Sequence, residues 1–370
     1  VLRPHRINVA TGVLADGRMT LRDVVPVNVE GARTAVDALV GLSAADLLLL
    51  NDGDLTYAKV RLDDASMARL ASTLPTVGDP LTRALLWGAA WDATRDGELS
   101  AQAFVDIAAA GLPIEDNVVI FPTVIRYVLT FAIDRFLPPE ARPAARARIG
   151  EACRGVLERA EPGSGLQLAA ARALIGTAGP DDAAWLRSWL DDATVPPTGL
   201  AIDSDLRWTI MQQLAVVGAA SSADIDAEYD REPTQTTAIN AAKARASRPD
   251  AAAKEIAWNQ IISDDSISNH LLFATAEGFW QPDQIDVLAP YVERFVADVP
   301  VMASKRVPQV SEYLIMYGYP HSRVDADDLA KLTEMVAGET IEPVIARLVR
   351  DGNDDLARAI RAREVALASA

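Results

Sequence analysis

Residues Leu47–Asp64 read LLLLNDGDLTYAKVRLDD: four leucines, an acidic cluster around one glycine, then a polar and apolar alternation into two aspartates. The cluster has two readings. A calcium loop would need six to eight oxygen ligands, with acids at alternate positions, glycine at the sixth and a bidentate Glu at the twelfth. Counted from Asn51, the sixth residue is Thr56 and the twelfth is Leu62, so the pattern fails. A tight turn is favoured, with Gly53 supplying the positive φ and the acids solvated.

Leu47–Leu50 is a short apolar run of the kind that forms a buried strand. Beyond the turn, Thr56, Ala58, Val60 and Leu62 fall on one side of an extended segment, with Leu55, Tyr57, Lys59 and Arg61 on the other. The reading is a hairpin that runs straight into a helix at Asp63. Asn51, Gly53, Asp54 and Tyr57 then mark the junction between two regions.

Upstream, Arg6–Leu14, Met19–Val29 and Arg33–Leu39 are further strand-like runs, separated by ADG and VEG turns. The expectation for residues 1–62 is a small β-sandwich, incomplete at its N-terminus, because a full sandwich has seven or more strands.

Downstream, residues 63–370 change period from 2 to 3.6. Leu81, Leu85, Gly88 and Trp91 make one buried stripe. Helices are expected near 100–110, 117–136, 139–160, 166–176, 181–191, 205–218, 223–230, 234–246, 250–263, 267–278, 283–298, 308–318, 325–337, 340–350 and 353–368. Pro180-Asp181, Pro249-Asp250 and Pro282-Asp283 punctuate their starts, since proline fits the first turn and aspartate complements the helix dipole. The fold class is mainly α: an irregular α-α superhelix of HEAT-like antiparallel helix pairs after the β unit.

Composition bounds the function. At 370 residues the chain exceeds one hydrophobic core, so two regions are expected. A net charge of −17 disfavours nucleic acid as a partner. The apolar stretch Val118–Ile133 carries Pro122 and Arg126, too short and too polar for a spanning helix, so no membrane is expected either. Cys153 stands alone, which points to a reducing, cytoplasmic setting and to a structural thiol rather than a nucleophile.

Motifs for chemistry are missing. The histidines are His5, His270 and His321, too far apart for the paired imidazoles of a zinc peptidase, and no phosphate loop or nucleophile elbow occurs. No catalytic and no metal-binding residue is assigned. Paired acids at Asp63-Asp64, Asp181-Asp182 and Asp264-Asp265 read as helix caps. The stretch YLIMYGYPH, Tyr313–His321, offers Tyr317, Tyr319 and His321 as candidates to line a substrate cleft, since tyrosine pairs a flat face with a polar tip. In the competing reading Tyr313 and Tyr317, one turn apart, anchor a helix ending at Gly318.

Several long stretches carry a family resemblance. LLLLNDGDLTYAKVRLDDAS from Leu47, DPLTRALLWGAAWDATRDGELSAQAFV from Asp79, DLRWTIMQQLAVVG from Asp205, RPDAAAKEIAWNQI from Arg248 and GFWQPDQIDVLAPYVERF from Gly278 occur in that order. Together they resemble the C-terminal half of aminopeptidase N enzymes, especially the actinobacterial type. The likeness runs from Arg3 to at least Phe295, and Val301–Ala370 match loosely.

The resemblance implies a parent zinc metalloaminopeptidase that removes N-terminal residues from peptides. Its catalytic domain would hold the zinc, an H-E-x-x-H helix and a G-x-M-E-N motif. None of these is in this chain, so no catalytic or zinc-binding residue carries over and no cofactor is expected here. The implied role is non-catalytic: a lid and peptide-access chamber, with the catalytic domain of the same polypeptide and peptide substrates as partners. The alternative is a freestanding HEAT-like scaffold that binds proteins or peptides on its concave face.

Overall fold

The computed structural model describes residues 3–191, 193–263, 266–337 and 341–368. A small antiparallel sheet comes first: β1 (His5–Ala15), β2 (Arg18–Val29) and β3 (Leu47–Leu50), in the order β2-β1-β3. Asp16 and Gly17 both adopt positive φ, at 51° and 76°, which is the twist a two-residue hairpin turn needs between β1 and β2. One face of the sheet carries Ala10, Leu47 and Leu49. These share a core with Leu70, Leu74 and Leu86 of the first helices.

The mainly helical architecture after a small β unit is as expected, while two of the five strands are not formed. Arg33–Leu39 holds only a 3₁₀ turn at Asp37–Leu39. Leu55–Leu62 is irregular, with a bend at Thr56, and pairs with no strand. Its alternation has another cause. Lys59 bonds the Asp96 carboxylate at 2.7 Å, and Arg61 pairs with both Asp96 and Glu98, so the polar residues of the segment reach the end of the helix Pro80–Arg95.

Helix starts follow the capping chemistry. Asp63 accepts from the N–H groups of Ala65 and Ser66, and Asp79 accepts from Thr82 at 2.7 Å ahead of Pro80. Ser100, Ser164, Asp203, Ser221, Thr234, Ser268 and Asp325 cap later helices in the same way. Each such cap satisfies an N–H that the helix cannot, for about 1 kcal/mol. Of the three Pro-Asp pairs, Asp250 caps its helix through Ala253 at 2.8 Å. Asp283 does not, and bonds Arg142 and Arg146 instead.

Three helix expectations are corrected. Residues 117–136 divide into an α-helix, Ile120–Arg126, and a π-helical stretch, Tyr127–Phe136. Residues 283–298 form a short helix, Ile285–Leu288, and a longer one, Pro290–Lys305, which continues past Pro300. In place of two helices over 340–350 and 353–368 there is one, Pro343–Ala368. Gly352 does not interrupt it.

The helices Gly165–Thr177, Ser204–Val216, Gln235–Ser247, Asn269–Phe279, Pro308–Gly318 and Pro343–Ala368 pack side by side as one layer. The last also packs against Pro80–Arg95, Ala101–Gly111 and Tyr127–Phe136, so the end of the superhelix returns to its beginning. Its Val349 and Leu356 belong to the core of the second half; its Ala359, Ala362 and Ala366 belong to the core of the first. Arg363 completes the closure, donating to the carbonyls of Arg135 at 2.8 Å and Val324 at 2.8 Å.

Candidate functional site

The NDGD turn is organised by its first residue. Asn51 is buried, with φ 59°, and its amide donates to the Thr56 carbonyl at 2.9 Å and to Asp54 at 3.2 Å while accepting from the Thr56 N–H at 3.2 Å. Both backbone groups of Thr56 are therefore engaged by a side chain, which removes them from any strand ladder. Gly53 holds φ 79° and Asp54 φ 51°. Tyr57 is wholly exposed and takes no part in the joint. Among the described residues no group of three or more His, Cys, Asp or Glu side chains is placed to hold a metal ion.

The tyrosine-histidine cluster is split. Tyr313 and Tyr317 stack at 6.1 Å and lean on Phe273, on a helix that does end at Gly318. Tyr317 stays partly exposed. Tyr319 turns inward, 2% exposed, and its hydroxyl donates to Asn353 at 2.7 Å. Burial raises its phenol above the ordinary range. Of the cleft candidates, Tyr319 is thus sealed in the core with its hydroxyl engaged, while Tyr317 faces outward.

His321 packs on Tyr319 at 4.6 Å between ring centres, and its Nδ1 has no hydrogen-bond partner. Burial, and then the Arg135 charge, lower its pKa to about 3, so it is neutral at ordinary pH. Cys153 is buried and burial lifts its thiol to about 12, which leaves it inert. Asp63 and Asp182 serve as caps, as read; Asp264 and Asp265 lie outside the described residues.

Sequence patterning missed the polar joints. Glu115, 0% exposed, accepts two bonds from Arg83 at 3.0 and 2.9 Å and one from the Trp87 indole at 3.3 Å. The bidentate fork is the geometry that offsets the desolvation of a buried carboxylate. Arg207 grips Glu228 likewise at 2.6 and 2.7 Å. Arg142, 1% exposed, spans about 140 residues of chain to reach the Pro282 carbonyl and Asp283, both at 2.9 Å. Each partner lies 21 or more residues away, beyond any local pattern.

These joints fix helices; none presents a nucleophile, an acid and base pair or a ligand set. The class so defined is a helical superhelix whose last helix packs back on its first ones. Residues 47–358 match the family model of the ERAP1-like C-terminal domain, and the chain belongs to that family. It is also 37% identical over all of its 370 residues to aminopeptidase N of Streptomyces lividans. The alignment covers 43% of that protein, so the chain spans less than half the length of the relative it matches. The resemblance to the C-terminal half of aminopeptidase N is borne out.

Proposed function

We propose that this chain is the non-catalytic C-terminal region of a zinc-dependent aminopeptidase, and that in the whole enzyme it caps the active site and walls the chamber through which peptides reach it. The observation that carries the reading is full-length similarity to less than half of an aminopeptidase N. The closed superhelix supports it, since helices stacked in one layer and tied end to end make a rigid wall. In this reading the zinc belongs to the catalytic domain, the partner is that domain of the same polypeptide, and the substrates are peptides. No helix among the described residues is long and apolar enough to cross a membrane; a cytoplasmic site is part of the proposal.

Mixing the chain with a separately produced N-terminal remainder of its polypeptide tests this. The expected result is a one-to-one complex by sedimentation, with peptide turnover differing from that of the remainder alone. Absence of association, with both pieces folded, would overturn it.

A further inference from the structure

The helix Pro80–Arg95 leaves one apolar stripe open. The spacing of Leu81, Leu85, Gly88 and Trp91 calls for a covered face. Trp91 is buried, but Leu85 is only half-buried, Leu81 is 45% exposed, and a Cβ on Gly88 would meet no atom within 4 Å.

Two neighbouring segments widen the opening. Residues 52–61 run beside this helix from its start to its end: Asp52 lies near Asp79, its N-cap, and Arg61 pairs with Asp96, just past its last turn. On that segment Leu55 is exposed and Tyr57 has no cover at all. Residues 115–127 run beside the helix in the same direction, with Arg83 pairing to Asp116 at 2.6 Å and Trp91 stacking on Tyr127 at 4.6 Å. Here Val118 and Val119 are exposed. Single exposed apolar side chains are ordinary. Five on three adjoining segments, Leu55, Tyr57, Leu81, Val118 and Val119, form a patch of the kind that marks an interaction surface.

The rim of the patch is acidic. Asp54, Asp79 and Asp116 are exposed around it, and burial, then the Asp79 charge, raise the Asp52 carboxyl above its ordinary range. The polypeptide enters the β unit at the same place, since His5 at the start of β1 has its Nδ1 3.0 Å from the Thr56 hydroxyl. More than half of the Streptomyces relative lies outside the alignment, and the matched family is a C-terminal domain. A preceding part of the polypeptide is therefore delivered beside Leu55 and Tyr57.

We infer that this face docks the preceding part of the same polypeptide, through an apolar surface bordered by lysine or arginine. The inference rests on the function proposed above and names the surface that function uses. Rigid presentation favours it: the Asn51 side chain clamps both backbone groups of Thr56, between Leu55 and Tyr57, so little order remains to be lost on docking.

Single cysteines at Tyr57→Cys, Val119→Cys and Ile256→Cys test it, with maleimide labelling followed by peptide mapping in the isolated chain and in the whole polypeptide. Cys153 is buried and does not compete. The first two should label freely in the chain and at least about tenfold more slowly in the whole polypeptide, because a docked face must open before its thiol is reached. Ile256→Cys, exposed on the helix Ala251–Ser263, should label alike in both. If the two pieces associate but Tyr57→Cys and Val119→Cys label as fast in the whole polypeptide as in the chain, this face is overturned and the proposed function stands. If the pieces do not associate, both are overturned. Slow labelling in the isolated chain that quickens on dilution would assign the face to a second copy, and equal slowing at all three positions would remove its selectivity; either overturns the inference.

Discussion

Lys254 shows how one side chain can set the pH response of a helical protein. It is 0% exposed, and its Nζ donates to the carbonyls of Ala246 at 2.8 Å and Phe279 at 2.6 Å, tying the ends of two helices. Burial lowers its pKa to about 7, against 10.5 for a free lysine, with Asp250 offsetting a part. Between these values the unfolded chain holds a proton that the folded chain does not, so stability rises with pH from about 7 to 10.5. Urea midpoints measured across that window should climb in the native chain and climb less in Lys254→Met. At the NDGD turn, Gly53→Val places a branched residue at φ 79° and should destabilise by about 1–3 kcal/mol. Neither calcium nor a chelator should move the melting temperature of the native protein or of this variant. The turn was readable from NDGD; the Asn51 side chain that engages Thr56 was not, because no pattern of residue types separates a solvated asparagine from one bonding its own loop.

Helices themselves were largely legible, because their boundaries are written in caps: Asp63, Asp79, Ser100 and Asp203 each precede an apolar stripe. Winding was not. Tyr127–Phe136 has the composition of an ordinary core helix, and no residue type in it marks the π register. The strand expected over Leu55–Leu62 failed for the opposite reason: its period was real, but Lys59 and Arg61 were matched to Asp96 and Glu98 rather than to solvent. Gly352 belongs to this scale too. A Cβ there would lie 2.5 Å from the Tyr319 ring, so the glycine serves close packing inside a continuous helix. Gly352→Ala should therefore lose about 1–3 kcal/mol to overpacking, although alanine is the better helix former by about 1 kcal/mol. Adding Tyr319→Leu should make the alanine cost smaller than it is alone, which a double-mutant cycle by chemical denaturation would detect.

At the scale of the molecule, closure is the property that sequence reading could not reach. Its ties join distant parts of the chain: Arg363 to Arg135, Arg142 to Asp283, and Gln284 to the carbonyls of Val216 and Ser247. Arginine at these positions reads as a solvated face until its partner is known. The missing zinc motif and the long shared stretches were legible in sequence, while the joints of Arg83 to Glu115, Arg142 to Asp283 and Arg207 to Glu228 came from three-dimensional contact. We propose a region that shapes peptide access and does no chemistry. It is tested most directly by measuring hydrolysis of a fluorogenic leucine amide by the purified chain, together with its zinc content. The prediction is no turnover above buffer and no stoichiometric zinc; sustained turnover that tracks bound zinc and is abolished by a chelator would contradict it.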